Sequence, residues 1–385
     1  MNTPPCDAAH GRTRPLSVLR AMIDAVDRDL LQLLGRRYAL VAEIADYKRE
    51  HTVPIRDLQR ERELIRDRRD RAVPLGLSPD LTESLFRLIL WASRDRQAAL
   101  KAELPLDVES RTVAVIGGRG AMGRCMAGLF ADLGHAVMIS DLDTRLTPEE
   151  AAADADVVLV SVPIDVTEDV IRRIGPRVRS DALLMDVTSV KDGPVGAMLE
   201  ASRSGVVGTH PLFAPSVHSL QGQRVVLCRG RGDQGFDWLR RMFHARGLTI
   251  VETTPKHHDE MMSVVQVLVH FATEVMGKAL VDLGVSIDET LAFTSPIYLM
   301  ELWMTARHFA QSPELYASIQ MSNPASRGVI DAFVRVTTEL QSHAAGRDRD
   351  AFVSMFNEVK TFFGPFTEQA LEQSSFLIDR LVERA

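Results

Sequence analysis

The sequence predicts a multidomain fold in which an all-α module is followed by a doubly wound α/β domain and then by a second all-α domain. Three observations carry that expectation. Leu16 to Arg49 repeats apolar side chains at steps of three and four with no proline. From Arg111 to Thr254, short β-branched runs alternate with helical stretches. Beyond Thr254 the strand signal stops and long helical periodicities take over. The expected boundaries are a disordered tail at 1–15, a helical module at 16–101, a linker at 102–110, an α/β domain at 111–254 and a helical domain at 255–385.

Composition narrows the function classes. A chain of 385 residues, 45% hydrophobic and 25% charged, has the make-up of an ordinary globular protein with two or three domains. No apolar run reads as a membrane span, and the polar N-terminus with Pro4 and Pro5 does not read as a signal peptide. Cys6, Cys125 and Cys228 are odd in number and far apart, which argues against disulfides and structural zinc and fits a reducing cytoplasm. No metal site and no membrane partner are expected. The net charge of −7 argues against nucleic acid as a partner. Between Leu16 and Lys101, however, 17 Lys and Arg face 14 Asp and Glu, so the helical module is locally basic and suits small anions.

Within that module Leu19, Ile23, Val26, Leu30, Leu33/Leu34, Val41 and Ile44 define one long helix, about 50 Å at 1.5 Å per residue. Pro54 ends it. A second helix is expected from about Asp57 to Asp70. A third starts at Ser78-Pro79-Asp80, an N-cap followed by proline at the first helical position, and runs to about Lys101. Three helices, one this long, cannot wrap a compact core alone, so the apolar stripe calls for a partner chain and an intertwined dimer.

Two cations interrupt the stripe. Steps from Leu30 pass through Leu34, Arg37, Val41, Ile44 and Lys48, which puts Arg37 and Lys48 on one face about three turns apart. Buried cations need anions. Arg20 lies about 25 Å along the axis from Arg37, out of reach of the same small ligand, although the equivalent arginine of a partner chain can reach it. Asp57, Arg60 and Glu61 share a face of the second helix, as Ser93 and Gln97 do on the third. By spacing alone, a coiled-coil arm with solvated charges is the simpler reading.

These residues carry a resemblance, however. The module resembles the all-helical chorismate mutases, including those fused to prephenate dehydrogenase or prephenate dehydratase. The resemblance puts Arg20, Arg37, Lys48, Asp57, Arg60, Glu61, Ser93 and Gln97 on that family's active-site positions. It also implies a site shared across a dimer, with the first arginine supplied by the other subunit. The implied substrate, chorismate, is a dianion that rearranges to prephenate without nucleophile or proton transfer, so catalysis must come from holding one conformer and stabilising charge on the ether oxygen. Arg20 and Arg37 would then clamp carboxylates, Lys48 and Gln97 would donate to the ether oxygen, and Glu61 would take the hydroxyl. Asp57, Arg60 and Ser93 would complete the polar shell. A neutral Gln97 implies activity that persists at neutral pH.

The α/β domain opens with Thr112-Val113-Ala114-Val115-Ile116, then Gly117-Gly118-Arg119-Gly120-Ala121-Met122-Gly123 and a helical segment. Buried strand, glycine turn and helix start cradle a dinucleotide pyrophosphate. Gly118 is expected to allow the turn, Gly120 the close backbone approach and Gly123 the helix–strand packing. The helix start at Ala121 and Met122 presents free N–H groups. A second apolar run, Ala136–Ser140, ends at Asp141, placed to hold an adenosine ribose 2′-OH and to repel a 2′-phosphate, so NAD is favoured over NADP. Further runs at Asp156–Val162, Ala182–Val187, Val206–Thr209, Arg224–Cys228 and Leu248–Val251 predict a parallel, Rossmann-like sheet. Ligands of such sheets sit at the carboxyl ends of the strands. Three ends carry chemistry there: Ser161-Val162-Pro163, Asp186 to Lys191 with Ser189, and His210-Pro211. Singly, His210 reads as a structural histidine and Ser189 as a helix cap; together they point to hydride transfer.

From about Val113 onward the chain resembles prephenate dehydrogenase, particularly its fused bifunctional form. The matching stretches include Ser161–Ile164, Ser189-Val190-Lys191, His210-Pro211, His258-Asp259, His270–Thr273, Ser295–Tyr298 and Phe309–Gln311. That family uses NAD⁺ to oxidise the C4 carbinol of prephenate while the ring carboxylate leaves as CO₂. The resemblance implies that His210 accepts a hydrogen bond from the C4 hydroxyl, that Ser189 orients it, and that Arg307 grips the ring carboxylate. Ser161 and Pro163 would border the cofactor, and Lys191, His270 and Gln311 the substrate; His258 and Asp259 would be support rather than chemistry. Feedback inhibition by tyrosine is also implied, and arogenate stays open as an alternative substrate. Leu299 and Asp165 depart from the arginine and histidine that fused members often carry. The C-terminal helices, expected at His257–Leu283, Ile287–Ala310, Gly328–Ala344, after Ala351 and from Thr367, would supply a dimer contact and a wall of the substrate cleft.

Overall fold

The computed structural model describes residues 14–51, 57–99, 109–217 and 219–382. The tail at 1–13, Pro54, Lys101 and most of the linker lie outside the described residues. The chain packs as two compact units. The first holds the helical module with His218–Gln223 and Met242–Thr249; the second holds Ser110–Val217, Arg224–Arg241 and Ile250–Ala385.

In the first unit, α1 (Leu16–His51) is a single helix, as an unbroken periodicity without proline requires. Helix α2 (Leu58–Ala72) starts at Asp57, whose carboxylate accepts the Arg60 N–H at 2.9 Å. A short 3₁₀ turn and Gly76 in the left-handed region end it. Helix α3 (Pro79–Ala99) starts after Ser78, whose hydroxyl accepts the Leu81 N–H. Of the α1 stripe only Val41 is buried, while Ile23, Val26 and Leu30 are each more than half exposed.

The second unit is built on a seven-stranded sheet. Strands β1 (Thr112–Ile116), β2 (Ala136–Ser140), β3 (Val157–Val160), β4 (Leu183–Asp186), β5 (Gly205–Pro211), β6 (Arg224–Arg231) and β7 (Thr249–Thr253) lie in the order β2-β1-β3-β4-β5-β6-β7. Between them run α4 (Ala121–Asp132), α5 (Pro148–Asp154), α6 (Ile164–Ile174), α7 (Asp192–Ala201) and α8 (Asp233–Ala245). The first five strands are mutually parallel. Strands β1, β3 and β4 are buried on both faces apart from Thr112, which is why they read as continuous apolar runs rather than alternating ones, whereas β2 at the sheet edge is only partly covered. The expectation of a wholly parallel sheet fails at β6, which pairs antiparallel with β5, His210 opposite Val226. Among the described residues no helix separates these two strands, and a parallel neighbour needs such a crossover.

Helix α9 (Pro255–Met262) continues through a π-helical stretch, Ser263–Leu268, into α10 (Val269–Leu283), where one uniform helix was expected. The expected helix over Ile287–Ala310 is two: α11 (Ile287–Ala292) and α12 (Pro296–Phe309), divided where Ser295 caps a new start at Pro296. Then follow α13 (Pro313–Ser322), α14 (Ser326–Ala345), α15 (Arg349–Phe363) and α16 (Phe366–Val382). Contrary to the sequence expectation, Pro255–Leu283 is long and apolar enough, by length and composition, to cross a membrane. Its His258 and Asp259 are nevertheless buried in hydrogen bonds to the sheet domain, so this helix start is part of the globular unit.

Candidate active sites

In the helical module, packing of α1 on α3 brings Arg37 to Ser93: the guanidinium donates to the Ser93 hydroxyl, which itself donates to the Ile89 carbonyl at 2.5 Å. One turn on, the buried Gln97 amide donates to the Ser93 carbonyl at 3.3 Å, and its own Oε1 has no protein partner. Burial, and then the positive charge of Arg68, lower the pKa of the Arg37 guanidinium. A half-buried arginine facing a second cation favours an anion between them. Packing of α2 on α3 joins Glu61 to Arg94 at 2.5 Å, both about one-fifth exposed. Lys48 is half-buried on α1, and Arg20, Asp57 and Arg60 are exposed. The carboxylate of Asp57 is engaged as a helix cap. Arg94 was not anticipated; its place beside Ser93 was the only available signal.

At the sheet's carboxyl edge, the turn after β1 falls on Gly117 (φ +78°), one residue before the expected Gly118. A Cβ at Gly117 would lie 2.3 Å from the Ser161 carbonyl oxygen. Gly118 instead sits under Ile139 of β2. Gly123 packs as expected, since a Cβ there would approach the Gly117 oxygen to 2.3 Å. Gly120 is the N-cap of α4 and makes no side-chain capping bond, leaving the helix start at Ala121 and Met122 open to a phosphate. The Asp141 carboxylate is held beside this loop by the N–H groups of Arg119 and Leu142, each at 2.8 Å. Arg119 pairs with Asp143. Ser161 follows β3, and Pro163 is the N-cap of α6 on the same edge. The glycine turn, open helix start and fixed carboxylate fit a dinucleotide.

Two strands along, His210 on β5 is 3% exposed. Its Nδ1 lies 2.9 Å from Nε2 of His258 on α9, and His258 Nδ1 lies 2.8 Å from the Asp259 carboxylate. Burial, with the charges of His258 and Lys191, pushes the His210 pKa well below the ordinary histidine value. Burial also lowers that of His258, although its hydrogen bond to Asp259 opposes the shift. Lys191, expected beside the substrate, is turned inward: its ammonium is fully buried against Asp186 and Thr188. Because Asp186 also accepts the Thr188 and Thr209 N–H groups, the pair ties the ends of β4 and β5 together. Ser189 is half-buried in the loop after β4. Gln266, on the π-helical stretch, reaches to 3.5 Å from His210 Nε2.

On α12, Arg307 is exposed, and its charge opposes the rise that burial causes in the Tyr316 phenol pKa. The His270 ring meets Tyr316 edge-on at 4.7 Å, while His308 and Gln320 converge on Glu274. Gln311 donates to the Arg307 carbonyl one turn back. His258, Asp259, Gln266 and Tyr316 thus join the expected set. The adjacent His258-Asp259 pair was visible in the sequence, but its contact with His210 spans 48 positions and was not.

The fold and these sites define an enzyme with a helical anion-binding module and a dinucleotide-dependent oxidoreductase on one chain. Residues 19–98 match the chorismate mutase type II family, 132–252 the nucleotide-binding domain of prephenate dehydrogenase, and 254–358 its dimerization domain. The T-protein of Enterobacter agglomerans is 36% identical over 94% of this chain and 97% of its own. The T-protein of Haemophilus influenzae is 34% identical over 95% and 97%. A prephenate dehydrogenase from A. aeolicus, solved with hydroxyphenyl propionate and NAD⁺, superposes with a TM-score of 0.54 at 18% identity, covering 66% of this chain and 98% of that one. The chain belongs to the T-protein family of fused chorismate mutase–prephenate dehydrogenases. It is a bifunctional enzyme of tyrosine biosynthesis, and its cofactor is NAD.

Proposed function

We propose that a homodimer of this chain rearranges chorismate to prephenate in sites shared between subunits, then oxidises prephenate to 4-hydroxyphenylpyruvate. In the mutase half, Arg37 and the partner's Arg20 clamp the two carboxylates, and Glu61 takes the hydroxyl. Lys48 and Gln97 stabilise charge on the ether oxygen, and Asp57, Arg60 and Ser93 complete the shell. The Gln97 amide nitrogen carries two N–H donors, of which the Ser93 carbonyl takes one, and the second supports this assignment. The exposed α1 stripe, and Val281, Leu283 and Phe293 in the domain matched as a dimerization domain, support the homodimer.

In the dehydrogenase half, bound NAD⁺ supplies the hydride acceptor, held by Gly120, Gly123, the start of α4 and Asp141. His210 accepts the hydrogen bond, and then the proton, of the substrate's C4 hydroxyl, oriented by Ser189. Arg307 grips the ring carboxylate until it leaves as CO₂, and aromatisation of the ring drives that loss. His270 and Gln311 border the side chain. The observation that carries this reading is the burial of His210 at the end of β5, on the carboxyl edge of the sheet, which lowers its pKa and favours a neutral imidazole there. Tyrosine carries the phenol of the product, so we expect it to inhibit by occupying the Arg307–His270–Tyr316 region. The odd number and wide spacing of Cys6, Cys125 and Cys228 support a cytoplasmic setting. The test is NADH formation by the purified protein given chorismate, prephenate or arogenate, each with NAD⁺ or NADP⁺. Prephenate with NAD⁺ is expected to be the fastest pair, and a faster rate with arogenate would overturn the substrate assignment.

A further inference from the structure

We infer that His258, anchored by Asp259, is a positioning residue that fixes His210 in the tautomer whose Nε2 lone pair is free to accept the substrate hydroxyl. The inference rests on the proposed role of His210 and goes beyond it by assigning the proton on every ring nitrogen. The chain of assignment starts at Asp259. An ionised carboxylate can only accept hydrogen bonds. Its two oxygens take the backbone N–H groups of Lys191 at 2.8 Å and Asp192 at 2.9 Å, so the carboxylate cannot rotate away. Its remaining partner, His258 Nδ1 at 2.8 Å, must therefore carry a hydrogen.

Burial keeps His258 on the neutral side, and a neutral imidazole has one N–H. Its Nε2 is then bare and can only accept. The 2.9 Å contact from His210 Nδ1 supplies the donor, which leaves His210 Nε2 without a hydrogen. The opposite assignment would set two lone pairs against each other at Asp259 and His258, in a place that water does not reach.

The surroundings agree. The amide Nε2 of Gln266 faces the bare His210 nitrogen at 3.5 Å, too long for a strong bond and therefore easily displaced by a substrate hydroxyl. Gln266 stands on the one π-helical stretch among the described residues, and such stretches recur at functional sites. The other charged groups near the relay, Lys191 and Asp186, are paired with each other and leave Asp259 to His258.

The experiment uses the full-length chain with ¹⁵N-labelled histidine and long-range ¹H–¹⁵N correlation at neutral pH, with His210→Asn and His258→Asn proteins assigning the signals. Both rings are expected in the Nδ1–H form, and in His258→Asn the His210 signal is expected to lose that fixed form. Dehydrogenase kcat in His258→Asn should fall about 10²–10⁴-fold, as when a catalytic histidine loses its tautomer-setting partner, with prephenate KM and NAD⁺ affinity nearly unchanged. Unchanged NAD⁺ affinity shows that the variant's dehydrogenase half has folded. An Nε2–H form of His210 in the parent protein, or full kcat in the folded variant, overturns the inference. A parent protein unable to oxidise prephenate would instead overturn the proposed function, and the tautomer measurement would still decide the relay.

Discussion

In the helical module, Arg20, Asp57 and Arg60 stand exposed on helices whose apolar faces are open, whereas in the dehydrogenase half His210, His258, Asp259 and Lys191 are all buried and mutually bonded. The difference follows the chemistry. A pericyclic rearrangement needs fixed charges and a shaped cavity, and these can be completed by a second chain closing over the first. A proton acceptor must stay neutral, and burial, which disfavours the charged imidazolium, achieves this inside one chain.

The largest expected effect breaks the comparison at its buried end. His210→Asn should lower dehydrogenase turnover about 10³–10⁴-fold while the mutase rate of the same chain stays unchanged. Full dehydrogenase turnover in that variant would refute the role of His210. At the open end, Arg37→Ala should reduce mutase kcat/KM about 10²–10³-fold, the usual loss of one preorganised donor, and leave the dehydrogenase rate alone.

Sharing of the mutase site has its own signature. Arg20→Ala and Arg37→Ala proteins, each nearly inactive, should regain about a quarter of the parental activity when unfolded and refolded together, because half the dimers then hold one intact site. No recovery would mean that Arg20 serves its own chain. At the nucleotide loop, Asp141→Ala should weaken the preference for NAD⁺ over NADP⁺ roughly tenfold, about 1.4 kcal/mol, as read from paired kcat/KM values.

The pH profiles should also diverge. His210 works neutral and its folded pKa is lowered, so dehydrogenase activity should be full at neutral pH and fall only as pH drops through that depressed value, below about 6.5. Its contribution to stability has the same sign: present above the unfolded pKa and lost on acidification. Mutase activity, relying on a neutral Gln97, should persist through neutrality. A mutase rate that collapsed above about pH 6 would remove Gln97 from the ether oxygen.

Much of this was legible in one dimension because the signals are local. The α1 periodicity, the Asp57 and Ser78 caps and the glycine turn each depend on residues a few positions apart. Even there, neighbouring glycines blurred the register: only the backbone shows that Gly117, pressed on Ser161, makes the turn. Lys191 misled because a lysine at a strand end reads as available to a ligand, while its actual partner, Asp186, belongs to the preceding strand. The antiparallel β6 was missed because apolar runs carry no direction.

The order of amino acids by itself determined three domain types, the dinucleotide loop and the cation-studded helix, since periodicity, turn chemistry and charge placement act over one or two turns of chain. Only the tertiary structure decided which way Lys191 faces, that Arg94 meets Glu61, and that Asp259, His258 and His210 form one line. Those contacts join segments far apart in the chain, and burial, which no local pattern encodes, sets their protonation.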